Sequence, residues 1–332
     1  MHDCNSLPEN NPKILNPKHT QSLSTKLSIS PTEITRLEHG NARSTNDFVA
    51  VEEPLEIRLT GANLEPNTEK NIAITMRTPG NDVDLALGFL FTEGIISSAQ
   101  DIISIQESPD QSSITIELHD SVVVDLDSLE RHFYTTSSCG VCGKASIDAV
   151  QVKCKIALPQ TQWKVNASVL FGLPDALRNA QASFEHTGGI HGCALFHRSG
   201  EIIATAEDVG RHNALDKLIG GWLRSNVKSN HKISELNQTV DQSSRSELTN
   251  MEAPETFIAL TDQILLLSGR ISFELVQKAA MAGIRMIAAV GAPSSLAIDL
   301  AEELGITLVG FLRGERCNIY THGQRVETHS KD

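Results

Sequence analysis

The chain has 332 residues, 40% of them hydrophobic, which is enough for one large or two medium domains around a substantial core. Its 28 basic and 41 acidic residues give a formal charge of −13, which excludes general attraction to nucleic acids or anionic lipids. We find no apolar run long enough for a membrane span and expect no secretory signal.

The first part of the sequence predicts a polar leader followed by a small α+β unit. Residues 1–45 are rich in Pro, Asn, Ser and Thr with little periodicity, so we predict a disordered leader. The unit occupies residues 46–135, with one helix that is N-capped by Asp82 and ended by Gly94. Its strands, the first two paired, are predicted where apolar and polar residues alternate: 54–61, 71–80, 101–107, 113–119 and 122–126.

Residues 136–146 contain the one close cysteine pair of the chain, Cys139 and Cys142. The surrounding residues are mostly small and polar, so we predict a mobile, solvent-reachable loop. The chain has six cysteines, and the other four lie far from one another, unlike the dense framework of a small secreted domain. This pattern favours a reducing compartment.

The second half predicts a C-terminal α/β domain over residues 147–322, before a tail at 323–332. A β-hairpin is predicted for residues 193–208, followed by a helix from about Asn213 to Leu223.

Residues 225–255 contain few large apolar residues, and we interpret them as a polar surface insertion. From Ile264 onward, short buried-strand patterns alternate with amphipathic helical patterns. This βαβαβ order predicts a parallel sheet with right-handed crossovers.

Ligands of open parallel sheets bind beyond the carboxyl ends of the strands. The predicted strands end in three loops: 268–270, 291–295 and 311–316. Two of these loops precede helices, whose N-terminal N–H groups favour anions. Arg270, Arg313 and Arg316 add guanidinium groups suited to phosphate, so the sequence predicts a phosphorylated ligand here.

A further wall of this site is predicted at another junction between a strand and a helix, formed by Asp208, Arg211 and His212. Residue by residue, the pattern favours the alternative that Asp208 caps the helix and His212 is a packing residue.

The cysteine pair by itself permits three kinds of chemistry. A zinc site would need ligands from elsewhere, because the chain offers no second close pair. Two residues between Cys139 and Cys142 also permit a redox disulfide. In the third interpretation an exposed thiolate, favoured by Lys144, holds a persulfide and carries sulfur between a donor and an acceptor.

Seven segments taken together resemble the FdhD family, the sulfur-carrier accessory proteins of formate dehydrogenase. The resemblance extends from Phe48 to His322 without the insertion after Arg224. The segments are RTPGNDVDLALGFLFTEGII, TSSCGVCGKAS, TGGIHGCALF, AEDVGRHNALDKLIG, LLLSGRISFELVQKAAMAGI, GAPSSLAIDLAEELGITLVGF and LRGERCNIYTH.

The resemblance implies a cytoplasmic sulfurtransferase that acts in molybdenum cofactor biosynthesis. Such a protein takes sulfur from a cysteine desulfurase and delivers it to the molybdenum or tungsten of a bis(molybdopterin guanine dinucleotide) cofactor. The partners are then the desulfurase, the catalytic subunit of formate dehydrogenase and a second copy in a homodimer, with no nucleic acid, membrane or structural metal.

The resemblance also assigns roles to individual residues. Cys139 matches the persulfide-forming cysteine and Cys142 its partner. The cofactor-binding segment of the family falls on Phe311, Leu312, Arg313, Gly314, Glu315 and Arg316. Arg270, Ser294 and His212 are weaker candidates for contacts with the same cofactor.

The fold implied by the resemblance is α/β, with a cytidine-deaminase-like three-layer core, a mixed sheet and the smaller N-terminal α+β unit. A zinc-dependent deaminase-like enzyme is therefore a competing function. Zinc deaminases use His/Cys-x-Glu and Pro-Cys-x-x-Cys motifs, but no Glu stands two places after His191, and Ser138 precedes Cys139. The sequence also permits a thiol–disulfide oxidoreductase and a chaperone that binds the cofactor without carrying sulfur.

Overall fold

The computed structural model describes residues 28–61, 63–64, 68–125, 163–238 and 260–328, and for 226–238 it describes the backbone alone. The predicted cysteine loop at 136–146, and with it Cys139 and Cys142, lies outside the described residues.

The first described element is a β-hairpin of strands β1 (Ile29–Glu38) and β2 (Asn41–Ala50). Its turn consists of His39 and Gly40, with φ angles of 51° and 84°, which match a two-residue hairpin turn. The prediction of a disordered leader is therefore wrong for residues 29–45. Backbone pairing and a suitable turn form this ribbon without the apolar periodicity on which the prediction relied.

A four-stranded sheet and one helix follow. The sheet has the order β4-β3-β6-β5, with β3 and β6 parallel and the other neighbours antiparallel. The pairing predicted for the first two strands is confirmed. The elements are β3 (Glu53–Gly61), β4 (Lys70–Arg77), α1 (Asp82–Thr92), β5 (Ile102–Glu107) and β6 (Ser113–Leu118).

Two local predictions in this unit are wrong. The N-cap of α1 is Asn81, in the left-handed region with a φ of 56°, and Asp82 is the first helical residue. The Asp82 carboxylate instead accepts hydrogen bonds at 3.1 and 2.9 Å from the fully buried Arg77. Residues 122–125 form no strand, and no strand in the described part of the chain pairs with them.

The remaining described elements form the α/β part. They are β7 (Val165–Asn166), α2 (Ala167–Ala180), α3 (Ala182–Thr187), β8 (His191–Phe196), β9 (Ile202–Asp208), α4 (Arg211–Gln238), β10 (Ile264–Leu267), α5 (Phe273–Met281), β11 (Met286–Ala289), α6 (Ser295–Glu303), β12 (Thr307–Arg313), β13 (Arg316–Thr321) and β14 (Val326–Glu327).

The central sheet is mixed and six-stranded, in the order β13-β12-β11-β10-β8-β9. Strands β10, β11 and β12 are parallel, and β8 and β9 form the antiparallel hairpin, so both predictions for this region are confirmed. Alternate strand residues face opposite sides. Leu265 and Leu267 belong to the core cluster that includes residues of α4, α5 and α6, whereas Ile264 and Leu266 belong to the cluster that includes residues of α2. The sheet thus has helices on both faces, as the α/β class predicts; the cytidine-deaminase likeness stays a prediction.

Helix α4 is longer than predicted. It runs to Gln238 rather than ending near Leu223, so the first part of the predicted insertion, residues 225–238, is helical. Among the helix residues whose side chains are described, Leu223 is the last that belongs to the core, and no glycine or proline interrupts the chain from there to Gln238. Helical hydrogen bonding needs no apolar face to continue. Within the described residues, no helix is long and apolar enough to cross a membrane.

Helices α1 and α4 pack closely against each other at a glycine of each helix, and their contact connects the four-stranded sheet to the six-stranded sheet. A Cβ atom on Gly88 would lie 1.8 Å from the Asp216 carbonyl oxygen, and one on Gly220 would lie 1.8 Å from that of Asp84. This close approach lets one continuous core include Leu59 of the small sheet and Leu215 of α4.

A buried lysine reinforces the same contact. Lys278 of α5 donates to Asp216 of α4 at 3.0 Å, to Glu93 at 3.1 Å and to Thr92 at 2.9 Å. Burial alone would lower the pKa of Lys278, but the two carboxylates outweigh it, and the pKa is raised. The ammonium group therefore stays charged between the small unit and the α/β part.

Candidate functional site

A cleft of about 650 Å³ opens at the carboxyl ends of the parallel strands, within the size range of small-molecule sites. One wall comes from the strand ends and includes Ser268, Gly269 and Val290. The facing wall is the corner between α2 and α3, with Leu177 and Phe184. The cleft lies where the sequence predicted a ligand at the sheet edge.

The segment predicted to bind the cofactor contributes three residues to the cleft: Leu312, Arg313 and Gly314. Glu315 and Arg316 lie beyond them, at the end of the hairpin between β12 and β13, and do not line the cleft.

Phe311 has an unusual backbone for a non-glycine residue, with a φ of 53°. Its N–H donates to the Gly291 carbonyl oxygen at 3.0 Å, and its side chain is 41% exposed. This left-handed residue interrupts the register between Gly310 and Arg313 and precedes the buried Leu312.

The weaker candidates lie at the same sheet edge but outside the cleft lining. Ser294 caps α6, where its Oγ accepts from the Ala297 N–H at 3.3 Å. Arg270 is exposed directly after Gly269. His212 lies at the start of α4, with Nε2 3.2 Å from the Ser272 Oγ and 4.0 Å from a Glu274 carboxylate oxygen.

Two histidines at this edge have lowered pKa values. Burial, with repulsion from Arg211 and Lys278, lowers the pKa of His212 from 6.5 to about 4. Burial and Arg211 also lower the pKa of His191, which lines the cleft. Both imidazoles are therefore neutral at pH 7, and each offers one donor and one acceptor nitrogen.

Asp208 does not form a wall of the site, so that prediction is wrong. It is fully buried, with one carboxylate oxygen 2.7 Å from the Lys217 Nζ and accepting from the Thr78 N–H at 3.1 Å. The other oxygen accepts from the Gly210 N–H at 2.8 Å. The buried lysine holds this carboxylate beneath the edge, where it fixes the loop before Arg211.

The sequence did not predict the wall formed by α2 and α3. Glu207, at the end of β9, accepts from the Ser183 and Phe184 N–H groups, both at 3.0 Å, and so fixes the start of α3. Gly188 and Gly189, directly after α3, were the local signal of a turn before β8. Nothing near Arg178 in the sequence indicates that it lines a cleft.

The two described cysteines lie in unfavourable settings for thiolate chemistry. Cys193 is 1% exposed, and burial, then the charges of Asp216 and Asp208, raise its pKa. Burial also raises the pKa of Cys317. Among residues 28–125, 163–238 and 260–328, so far as they are described, no three His, Cys, Asp or Glu side chains are grouped to hold a metal ion.

Comparison with known proteins decides the family. A sequence model of the FdhD/NarQ family matches residues 50–236 and 253–327. The chain belongs to the FdhD/NarQ family. The resemblance predicted from the seven segments is thereby confirmed, and the internal gap of the FdhD/NarQ match, 237–252, falls within the predicted insertion.

Individual FdhD/NarQ relatives match over most of their length. The chain is 42% identical over 303 residues to the sulfur carrier protein FdhD of Streptomyces coelicolor, covering 89% of this chain and 94% of that protein. It is 39% identical over 301 residues to the sulfur carrier protein FdhD of Sulfolobus acidocaldarius, covering 91% and 100%.

The fold is also similar to a crystal structure of a candidate formate dehydrogenase accessory protein from Desulfotalea psychrophila. The TM-score is 0.61 at 22% sequence identity, and the match covers 91% of this chain and 100% of that chain. At this identity the likeness concerns the fold alone.

Proposed function

We propose that this chain is a cytoplasmic sulfur carrier that accepts sulfur from a cysteine desulfurase and delivers it to a bis(molybdopterin guanine dinucleotide) cofactor required by formate dehydrogenase. The observation that carries the proposal is the match, over 94% of its length, to a protein named as a sulfur carrier. The acceptor metal is molybdenum or tungsten, and the chain acts as a homodimer that also contacts the catalytic subunit of formate dehydrogenase.

The proposed carrier atom is the sulfur of Cys139. Its thiolate attacks the terminal sulfur of a desulfurase persulfide, the donor S–S bond breaks and the donor cysteine leaves as a thiolate. This exchange needs no outside oxidant, and Cys142 assists the second transfer. The raised pKa values of Cys193 and Cys317 support placing the chemistry on other cysteines.

The cleft is the proposed binding place for the acceptor. Each guanine dinucleotide arm of the cofactor carries a pyrophosphate and a planar base. Arg313 offers a guanidinium group for the pyrophosphate, and the partly exposed ring of Phe184 suits the planar base. The volume of about 650 Å³ suits one arm rather than the whole two-armed molecule.

Intact mass spectrometry tests the carrier role. The full chain would be incubated with a cysteine desulfurase and cysteine, and we expect a gain of one sulfur atom in the wild type and none in Cys139→Ser. Cys317→Ser serves as the matched control and should load normally. No added sulfur on the wild type, or normal loading of Cys139→Ser, would reject the proposal.

A thiol–disulfide oxidoreductase is the second candidate, favoured by the two-residue spacing of Cys139 and Cys142. It predicts reversible loss of two hydrogens without a gain of sulfur in the same spectra. Stoichiometric zinc that survives dialysis would favour a zinc-dependent enzyme instead. A binding-only chaperone predicts that Cys139→Ser still restores formate dehydrogenase activity in cells that lack the protein.

A further inference from the structure

Arg178 lies in the last turn of α2 and lines the cleft from the wall that the sequence did not predict. Its guanidinium carbon lies 5.4 Å from the centroid of the Phe184 ring, a cation–π contact. Within the described part of the chain, this guanidinium group makes no hydrogen bond and no ion pair. Its donors therefore remain available to a ligand.

The start of α3, which carries Phe184 beneath Arg178, is held by hydrogen bonds, and the cleft has little negative charge. Glu207 accepts from the backbone N–H groups of Ser183 and Phe184, so its carboxylate is occupied at the start of α3. Among the described residues that line the cleft, Asp175 alone is acidic, and it forms no ion pair with Arg178. Few negative charges compete with an anion in the cleft.

The facing wall presents a second cationic feature. Arg313 lines the cleft, and the register of β12 and β13 places it directly opposite Arg316. Neither guanidinium group has an ion-pair partner among the described residues. Like charges at directly opposed strand positions repel each other, and an anion bound to Arg313 in the cleft would relieve that repulsion.

We propose that Arg178 and Arg313, from opposite walls, together bind a phosphate or pyrophosphate group of the ligand of this cleft. The pairing of a planar guanidinium fork with phosphate oxygens supplies both charge and geometry. Stacking on Phe184 holds the Arg178 fork in place before the anion arrives. The inference rests on the proposed function for the identity of the ligand, because a guanine dinucleotide carries such a pyrophosphate.

Titration calorimetry of the full chain with inorganic pyrophosphate at low salt tests this inference. We expect measurable binding that weakens as salt is added, and a loss of affinity of about tenfold or more in both Arg178→Gln and Arg313→Gln. Arg178→Lys keeps the charge but not the fork and should fall between the wild type and Arg178→Gln. Arg198→Gln is the matched control, since Arg198 is an exposed arginine in the turn at the opposite end of β8.

Absence of pyrophosphate binding, or unchanged affinity in Arg178→Gln, would overturn the inference. An equal loss in Arg198→Gln would do the same, because it would show attraction by overall charge rather than by a site. Far-ultraviolet circular dichroism checks that each variant is folded, and Arg178→Lys still decides the matter if Arg178→Gln is not. Both measurements on the wild type separate the two proposals: a wild type that gains no sulfur from the desulfurase but binds pyrophosphate with an affinity that depends on Arg178 rejects the carrier role alone.

Discussion

At the scale of single residues, burial determines which charges the molecule keeps and which it neutralises. Lys278 remains charged because two carboxylates surround it, whereas His212 is neutral because burial and nearby cations disfavour its protonated form. The first group joins parts of the fold, and the second lies at the edge where a ligand is proposed. Both groups affect how the free energy of unfolding changes with pH.

Replacement of Lys278 by Met should destabilise the protein by about 3–5 kcal/mol, because Asp216 would stay buried without its cation. Burial and the charge of Glu93 would then raise the pKa of Asp216 above its ordinary value. A raised pKa in the folded state means that protonation of Asp216 favours folding. The loss of unfolding free energy in Lys278→Met should therefore become smaller as the pH falls from 7 to 5. Urea unfolding at both pH values measures this.

The matched control for that experiment is Lys164→Met. Lys164 lies 3.8 Å from Glu327, and both side chains are 56% exposed. Exposed pairs of this kind contribute about 0–1 kcal/mol. If Lys278→Met loses no more unfolding free energy than Lys164→Met, the buried lysine does not stabilise the fold as proposed.

His212 should lower the stability of the folded state in mild acid. Its pKa is about 4 in the fold against an ordinary value of 6.5, so the unfolded chain binds the proton more readily between these pH values. Stability should therefore fall as the pH drops from about 6.5 to about 4, and His212→Gln should flatten that fall. Proton NMR of the imidazole gives the titration midpoint directly, and a midpoint near 6.5 would contradict the assignment.

At the scale of elements, the close approach of α1 and α4 depends on two residues without side chains. Gly88→Ala and Gly220→Ala should each destabilise the protein by about 3 kcal/mol or more, because each new Cβ would overlap a backbone carbonyl of the facing helix. Gly172→Ala in α2 is the matched control, since a Cβ there meets open space and should add up to about 1 kcal/mol of stability. Thermal unfolding of the three variants shows whether the loss of stability comes from the contact between α1 and α4 or from any replacement of a helical glycine by alanine.

Helix α3 depends on the carboxylate of Glu207. Glu207→Ala should leave the Ser183 and Phe184 N–H groups without their acceptor, at a cost of about 1–2 kcal/mol. We expect faster hydrogen exchange at these two amides. Pyrophosphate affinity should also fall, because Arg178 stacks on Phe184. Glu185→Ala, which removes an exposed acid from the same helix, should change neither property.

At the scale of the whole molecule, the small sheet and the α/β part share one core. Leu55 and Ile116 of the small sheet belong to the same apolar cluster as Leu215 and Leu275 of the helices. The hydrogen bond from the Lys217 Nζ to the Thr78 carbonyl oxygen, at 2.7 Å, links the two parts through polar groups. Both parts therefore contribute apolar side chains to one common core.

The chain should accordingly unfold in a single cooperative transition. Circular dichroism and tryptophan fluorescence should give coincident urea curves. Hydrogen exchange should give the same largest opening free energy for peptides from β3–β6 and from β10–β12. Two separated transitions would show that the small unit is an independent domain.

The sequence by itself determined the elements whose signals are local. Alternation and turn residues identified the β3–β4 pair, the β8–β9 hairpin and the βαβαβ order, because each depends on neighbours along the chain. The carboxyl edge of the sheet followed from that order, and the motifs identified the family.

Only the tertiary structure decided which residues meet. Arg178 and Arg313 stand more than a hundred positions apart in the sequence, and the packing of α2 against the sheet brings both to one cleft. The sequence offered Asp208 as a wall of the site or as a helix cap, but Lys217 and Thr78 hold its carboxylate in the interior. Residues 29–45 looked disordered, because backbone pairing across a turn leaves no apolar pattern. Contacts between distant segments leave no periodic trace in a single sequence, so the fold alone determined the composition of the cleft.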